Sequence, residues 1–132
     1  MKINVTIDIP REVLEGVFIT AIEGGSNYWY HIGNEAIDII KEAVTDKDGK
    51  AFSEMLFETV YDHGKAVPIG DIEDMGGEPI GELNINTFSE RLQKCIDNGN
   101  GWALHDEIDE RGDTNSSDIV FQYLVLNDVI YG

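Results

Sequence analysis

The chain has 132 residues, 42% of them hydrophobic, and a formal net charge of -17 from 26 acids against nine Lys and Arg. That length suits one domain, able to bury roughly two-thirds of its unfolded surface. The charge argues against direct nucleic-acid binding, which needs basic side chains to neutralise phosphates, and against attraction to anionic lipid. No segment approaches the roughly 18 apolar residues of a membrane span. The opening Met1-Lys2-Ile3-Asn4-Val5 alternates apolar and polar residues, unlike a signal peptide. The single cysteine, Cys95, excludes an internal disulfide and fits a reducing cytoplasm.

From the start, Ile3, Val5, Ile7 and Ile9 alternate with Lys2, Asn4, Thr6 and Asp8, which predicts a half-buried strand. Pro10 suits a first helical turn. Val13, Leu14, Val17, Phe18, Ala21 and Ile22 then recur at helical spacing. Gly24-Gly25 stops that helix, and 28–32 is expected to be extended. Asn34 is a candidate cap for a second helix through about Val44, with Ala36, Ile37, Ile40, Ala43 and Val44 on its buried face.

Residues 51–62 suit a helix by spacing and a strand by composition over 56–61. The strand is favoured because Asp62-His63-Gly64-Lys65 reads as a hairpin turn, with 66–72 as its partner. Pro68 points to an edge strand. Residues 74–79 read as a further turn and 80–85 as a short strand. Thr87-Phe88-Ser89-Glu90 has capping-box spacing for a helix that buries Phe88, Leu92, Cys95 and Ile96 and ends at Asp97-Asn98-Gly99. Residues 99–113 read as an acidic loop anchored by Trp102, Leu104 and Ile108. Ser116 or Ser117 starts a terminal helix with Ile119, Val120, Tyr123 and Leu124 inward. Val129-Ile130-Tyr131 is apolar and is expected to dock on the first strand or the glycine turn. The expectation is a single α+β domain over 1–132, with a small antiparallel sheet packed against about four helices.

Two strings occur together: Ile19-Thr20-Ala21-Ile22-Glu23-Gly24-Gly25-Ser26-Asn27-Tyr28-Trp29-Tyr30, and Asp118-Ile119-Val120-Phe121-Gln122-Tyr123 followed by Asp128-Val129-Ile130-Tyr131-Gly132. This pair resembles a family of small proteins from tailed bacteriophages and prophages, in which a strand-turn-strand and a Thr-capped helix, here 86–96, occupy the middle. Residues 33–55 and 66–82 depart from the family pattern. The resemblance implies a phage-derived accessory protein in the bacterial host's cytoplasm, and it brings no activity with it.

Chemical motifs are scarce. Glu23, Asn27, Tyr28 and Trp29 are the candidate ligand-binding residues: aromatics offer stacking faces, and Glu and Asn fix orientation. The competing reading packs Tyr28 and Trp29 beneath the first helix, with Glu23 on loop N–H groups. His31, His63 and His105 lie far apart. His105-Asp106-Glu107 with Asp109 lacks the spacing that sets two metal ligands on one side, so no metal is assigned. Asp71, Glu73 and Asp74 fall short of a calcium loop. Cys95 on an apolar helix face beside Asp97 is in the wrong setting for a nucleophile. No nucleophile elbow, phosphate loop or dinucleotide fingerprint is present. No catalytic residue and no cofactor are assigned.

The charge is uneven. Residues 66–90 hold six acids and no Lys or Arg, and 106–118 hold six acids against Arg111 alone. Such a surface either keeps the chain soluble or competes with nucleic acid for a protein partner with a basic surface. The leading expectation is a non-enzymatic binding protein of the second kind, acting in host-defence modulation or nucleic-acid mimicry. The alternatives are a small-ligand binder or hydrolase centred on residues 23–30, and a virion or assembly component.

Overall fold

Helix α6, Thr114–Leu126, runs through the centre of the molecule. It contacts α1 (Arg11–Thr20), α4 (Phe88–Cys95), α5 (Gly101–Ile108) and strand β3 (Gly81–Leu83). The computed structural model describes all residues 1–132. It is a single α+β domain with a three-stranded antiparallel sheet in the order β1-β2-β3, where β1 is Tyr30–His31 and β2 is Val67–Asp71. Helices α2 (Asn34–Ala43) and α3 (Phe52–Phe57) complete it. One core cluster of 22 buried residues unites these elements. At its heart Phe18 meets Phe57 and Phe121 edge-on, at centroid distances of 5.0 and 5.5 Å.

Helix α1 forms where the apolar stripe places it, and Leu14, Val17 and Phe18 are buried. It runs on into a five-residue π turn, Ala21–Gly25, closed by the Ser26 N–H donating to the Ala21 carbonyl. The same kind of turn follows α3 and α4, at Glu58–Asp62 and Ile96–Asn100. In the last of these Gly99 sits at φ +86°, a left-handed conformation cheap only for glycine.

Several expectations are corrected. Residues 2–9 form no strand: residues 1–8 are exposed and make no backbone bond to the rest of the chain. A strand needs a partner ladder, and no sheet edge of this chain lies alongside. Residues 51–62 are helical, because burial of Leu56, Phe57 and Val60 at helical spacing outweighs β propensity. The Thr59 hydroxyl completes that turn by donating to the Met55 carbonyl at 2.7 Å. Pro68 lies in the central strand, not an edge. β1 pairs only with Asp71 and Gly70, so Pro68 faces Glu82 of β3 alone and its missing N–H breaks no ladder bond to β1.

Helix ends differ too. Gly33, not Asn34, precedes α2. Thr87 does not cap α4; its hydroxyl donates to the Asn84 carbonyl, and the Asn84 side chain accepts from the Asn86 N–H. Ile96 is 38% exposed. Residues 101–108 are helix rather than loop, and Trp102 is exposed rather than anchoring. α6 begins earlier than Ser116. Asp113 is its cap, in a reciprocal box where Asp113 Oδ1 accepts from the Ser116 N–H and Ser116 Oγ accepts from the Asp113 N–H. Glu107 accepts from both Ser116 and Ser117 hydroxyls, at 2.8 and 2.6 Å, tying α5 to that cap.

β3 approaches the last turn of α6 so closely that a Cβ at Gly81 would lie 2.4 Å from the Val125 carbonyl oxygen. Gly81→Ala is expected to cost about 1 to 3 kcal/mol. Gly76→Ala, with nothing within 4 Å, serves as control. Denaturant midpoints check both; equal midpoints contradict the close packing.

Candidate functional site

Asp118 lies one turn into α6, and its carboxylate points into the molecule with only 7% of the residue exposed. Its Oδ1 accepts from Ser26 Oγ at 2.7 Å and Trp29 Nε1 at 2.8 Å. Its Oδ2 accepts from Tyr28 Oη at 2.6 Å and Gln122 Nε2 at 3.1 Å. No basic side chain pairs with it; four neutral donors fill the capacity of a carboxylate. Three come from the turn after α1, and the fourth is one helical turn along α6.

Gln122, fully buried, passes the connection to the end of the chain. Its Nε2 also donates to the Tyr131 carbonyl at 3.0 Å, and its Oε1 accepts from the Ile130 and Tyr131 N–H groups at 2.9 and 3.0 Å. The side-chain amide thus pairs with the main chain of the terminal segment as a neighbouring strand does. The Tyr131 ring stacks on Trp29, with centroids 5.4 Å apart and planes 6° from parallel. Trp29 is 1% exposed and leans against Phe121 at 6.0 Å. The terminal segment therefore docks on the aromatic turn, as one of the two expected positions has it, although Ile130 is left 63% exposed.

The four candidate ligand residues do not share one partner. Tyr28 and Trp29 meet at Asp118. Glu23 accepts from Ser53 Oγ at 3.0 Å, linking the turn to α3. Asn27 is exposed and takes part in neither contact. Two cavities lie elsewhere. One, of about 250 Å³, is lined by Ile37, Ile40, Phe52 and Met55 with the stems of Lys41 and Lys47. The other lies between Ile39, Glu42, Ala43, Lys65 and Ala66. Asp118 and Gln122 were not singled out from sequence. Their signal is two polar residues four apart in the otherwise largely apolar run from Asp118 to Leu126.

Cys95 is buried, its thiol is pushed up to about 11 by burial, and its Sγ donates to the Asn100 carbonyl. His63 lies 3.2 Å from Glu58 and His105 3.4 Å from Asp109. No group of three or more His, Cys, Asp or Glu side chains is placed to hold a metal ion. No family model, curated protein or solved structure matches this chain.

Asp118→Ala leaves the Ser26 and Trp29 donors buried without an acceptor. It is expected to cost about 3 kcal/mol or more, read from denaturant midpoints. Deleting residues 128–132 removes the stack on Trp29 and every main-chain partner of Gln122, and the melting temperature should fall by several degrees. A truncated chain that melts with the full one contradicts the docking.

Burial first, then the hydrogen bond and charge of Asp118, push the Tyr28 phenol up to about 12. A raised folded-state pKa stabilises the fold below the unfolded value of about 10, and that contribution disappears as pH rises towards about 12. Tyr28→Phe should therefore flatten the loss of stability over that window. An unchanged alkaline profile contradicts the coupling.

Proposed function

We propose that this protein works by binding a partner protein of basic surface, without catalysis, through the acidic lobe between β2 and β3. The observation that carries this reading is that none of the chain's ion pairs involves an acid from residues 66–90. Glu73, Asp74, Glu78 and Glu82 are exposed and unneutralised. Exposed Ile72 and Met75 stand among them. The lobe is fastened to the aromatic turn by the Ile72 N–H, which donates to the Trp29 carbonyl at 2.9 Å. Asp71 and Glu73 lie close enough to Tyr131 to help burial raise its phenol pKa. Tyr28 and Ile130 are exposed as well. Carboxylates around a few apolar side chains on a rigid base suit a basic, partly apolar protein surface, where charge speeds encounter and apolar contact prolongs it.

The phage and prophage resemblance supports a host or phage macromolecule as that partner, met in the bacterial cytoplasm. An acidic lobe that imitates a phosphate backbone competes with nucleic acid for the partner's site, and that is how host defence would be modulated. The polar groups of Tyr28 and Trp29 are committed to Asp118, which favours this reading over a ligand site at 23–30.

The test is capture of host proteins on the immobilised chain, with the retained protein identified and its affinity measured. Binding should weaken steeply with salt as the Debye length shrinks from about 30 Å at 0.01 M to about 8 Å at 0.15 M, and duplex DNA should compete. The triple variant Glu73→Lys, Asp74→Lys, Glu78→Lys should lower affinity at least about tenfold. Affinity unmoved by that variant, or a co-purifying metabolite in place of a protein, overturns the proposal.

A further inference from the structure

The most unusual surface of this molecule is the segment before α1. Residues 1–8 are exposed, with Ile3 at 75%, Val5 at 69% and Ile7 at 54%, and neither their backbone nor their side chains form a hydrogen bond with the rest of the chain. Ile9 is the first residue to pack against the core. The segment nonetheless has strong strand composition and strict alternation. An exposed apolar strand with free N–H and C=O groups is a template for pairing with another strand.

We infer that residues 2–8 pair with the same residues of a second copy, as an antiparallel two-stranded ribbon centred on Val5. The sequence is complementary to itself in that register. Lys2 stands opposite Asp8 at both ends, Ile3 opposite Ile7, Asn4 opposite Thr6, and Val5 opposite its own counterpart. Every cross-strand pair is therefore apolar with apolar, polar with polar, or cation with anion. Ile3, Val5 and Ile7 of both copies come onto one face and the charged and polar pairs onto the other. A shift of one residue brings apolar positions opposite polar ones, and a shift of two keeps the faces but moves Lys2 away from Asp8, so the charge pairs select the register centred on Val5. Such a contact is isologous, as a two-fold dimer requires. The antiparallel arrangement also places the two bodies at opposite ends of the ribbon, about 25 Å of strand apart at about 3.3 Å per residue. That separation limits repulsion between bodies of charge -17. A lone two-stranded ribbon is marginal in water, so the dimer is weak and depends on concentration.

The test is sedimentation of the full chain at about 0.15 M salt, where a Debye length of about 8 Å screens the bodies but not contacting pairs. A monomer–dimer equilibrium is expected at high-micromolar concentration. Val5→Asp puts two carboxylates together at the centre of the apolar face and should abolish it. Lys2→Asp alone and Asp8→Lys alone each place like charges opposite one another and should weaken the dimer about tenfold. The double exchange, Lys2→Asp with Asp8→Lys, should restore it to near the original strength. All these positions are exposed, so the monomer's melting temperature should not move in any variant. A strictly monomeric chain, or a double exchange that fails to restore association, overturns the inference. So does a Val5→Asp chain that keeps its association state but loses a different protein partner.

Discussion

The buried carboxylate of Asp118 is the constraint on which the arrangement of the aromatic turn and the terminal segment depends. A carboxylate removed from water must be given donors, or its desolvation cost destabilises the fold by several kcal/mol. Here the donors come from Ser26, Tyr28 and Trp29, more than 80 residues away in sequence, and from Gln122. Satisfying one group thus dictates the path of the chain after α1. It also places the Trp29 ring where Tyr131 can stack on it. Gln122 then carries the same logic to the final residues, since its amide is buried and both of its ends must be met.

The charge is distributed by the same rule. Of the 26 acids, Asp118 is the one that is buried. Three of the nine cations, Arg11, Lys50 and Arg91, sit at joints between elements. Arg11 pairs with Asp62 and Glu15 and lies over the Phe57 and Tyr61 rings, at 5.0 and 5.9 Å, which pins α1 to the end of α3. Arg91 donates to the carbonyls of Glu82, Leu124 and Val125, joining α4 to β3 and to the end of α6. A cation there also complements the negative end of the helix dipole. Lys50 holds Glu58 and lowers its pKa. No acid of the lobe between β2 and β3 takes part in an ion pair.

Much of the helical framework was legible. The stripes of α1 and α2 and the glycine stops at 24–25 and 99 follow from spacing and turn chemistry, whereas strand β2 was expected as the edge partner of a strand at 56–61 and is instead the central strand. The misreadings share a cause. At 56–61, β-rich composition and an apparent hairpin turn competed with helical spacing, and the decision came from which face the core could bury. At 101–108, a short helix with exposed Trp102 has no strong stripe to reveal it. At 2–8, the strand pattern is present but the chain offers no ladder for it. Of the candidate ligand residues, Tyr28 and Trp29 donate to Asp118 inside the molecule. Their partner was missed because an i, i+4 polar pair on an apolar helix looks the same whether it faces water or core.

The sequence by itself determined what is local or additive: the charge, the size of the core, the helical stripes and the backbone breaks at glycine. These depend on residues within a few positions of one another, or on a sum over all of them. Only the tertiary structure decided that Asp118 faces inward, that residues 23–30 and 128–132 meet across α6, and that none of the acids of 66–90 pairs with a cation. Those outcomes depend on which of several chemically possible partners is brought within hydrogen-bonding distance, and that distance is set by the packing of the whole core rather than by any stretch of the chain.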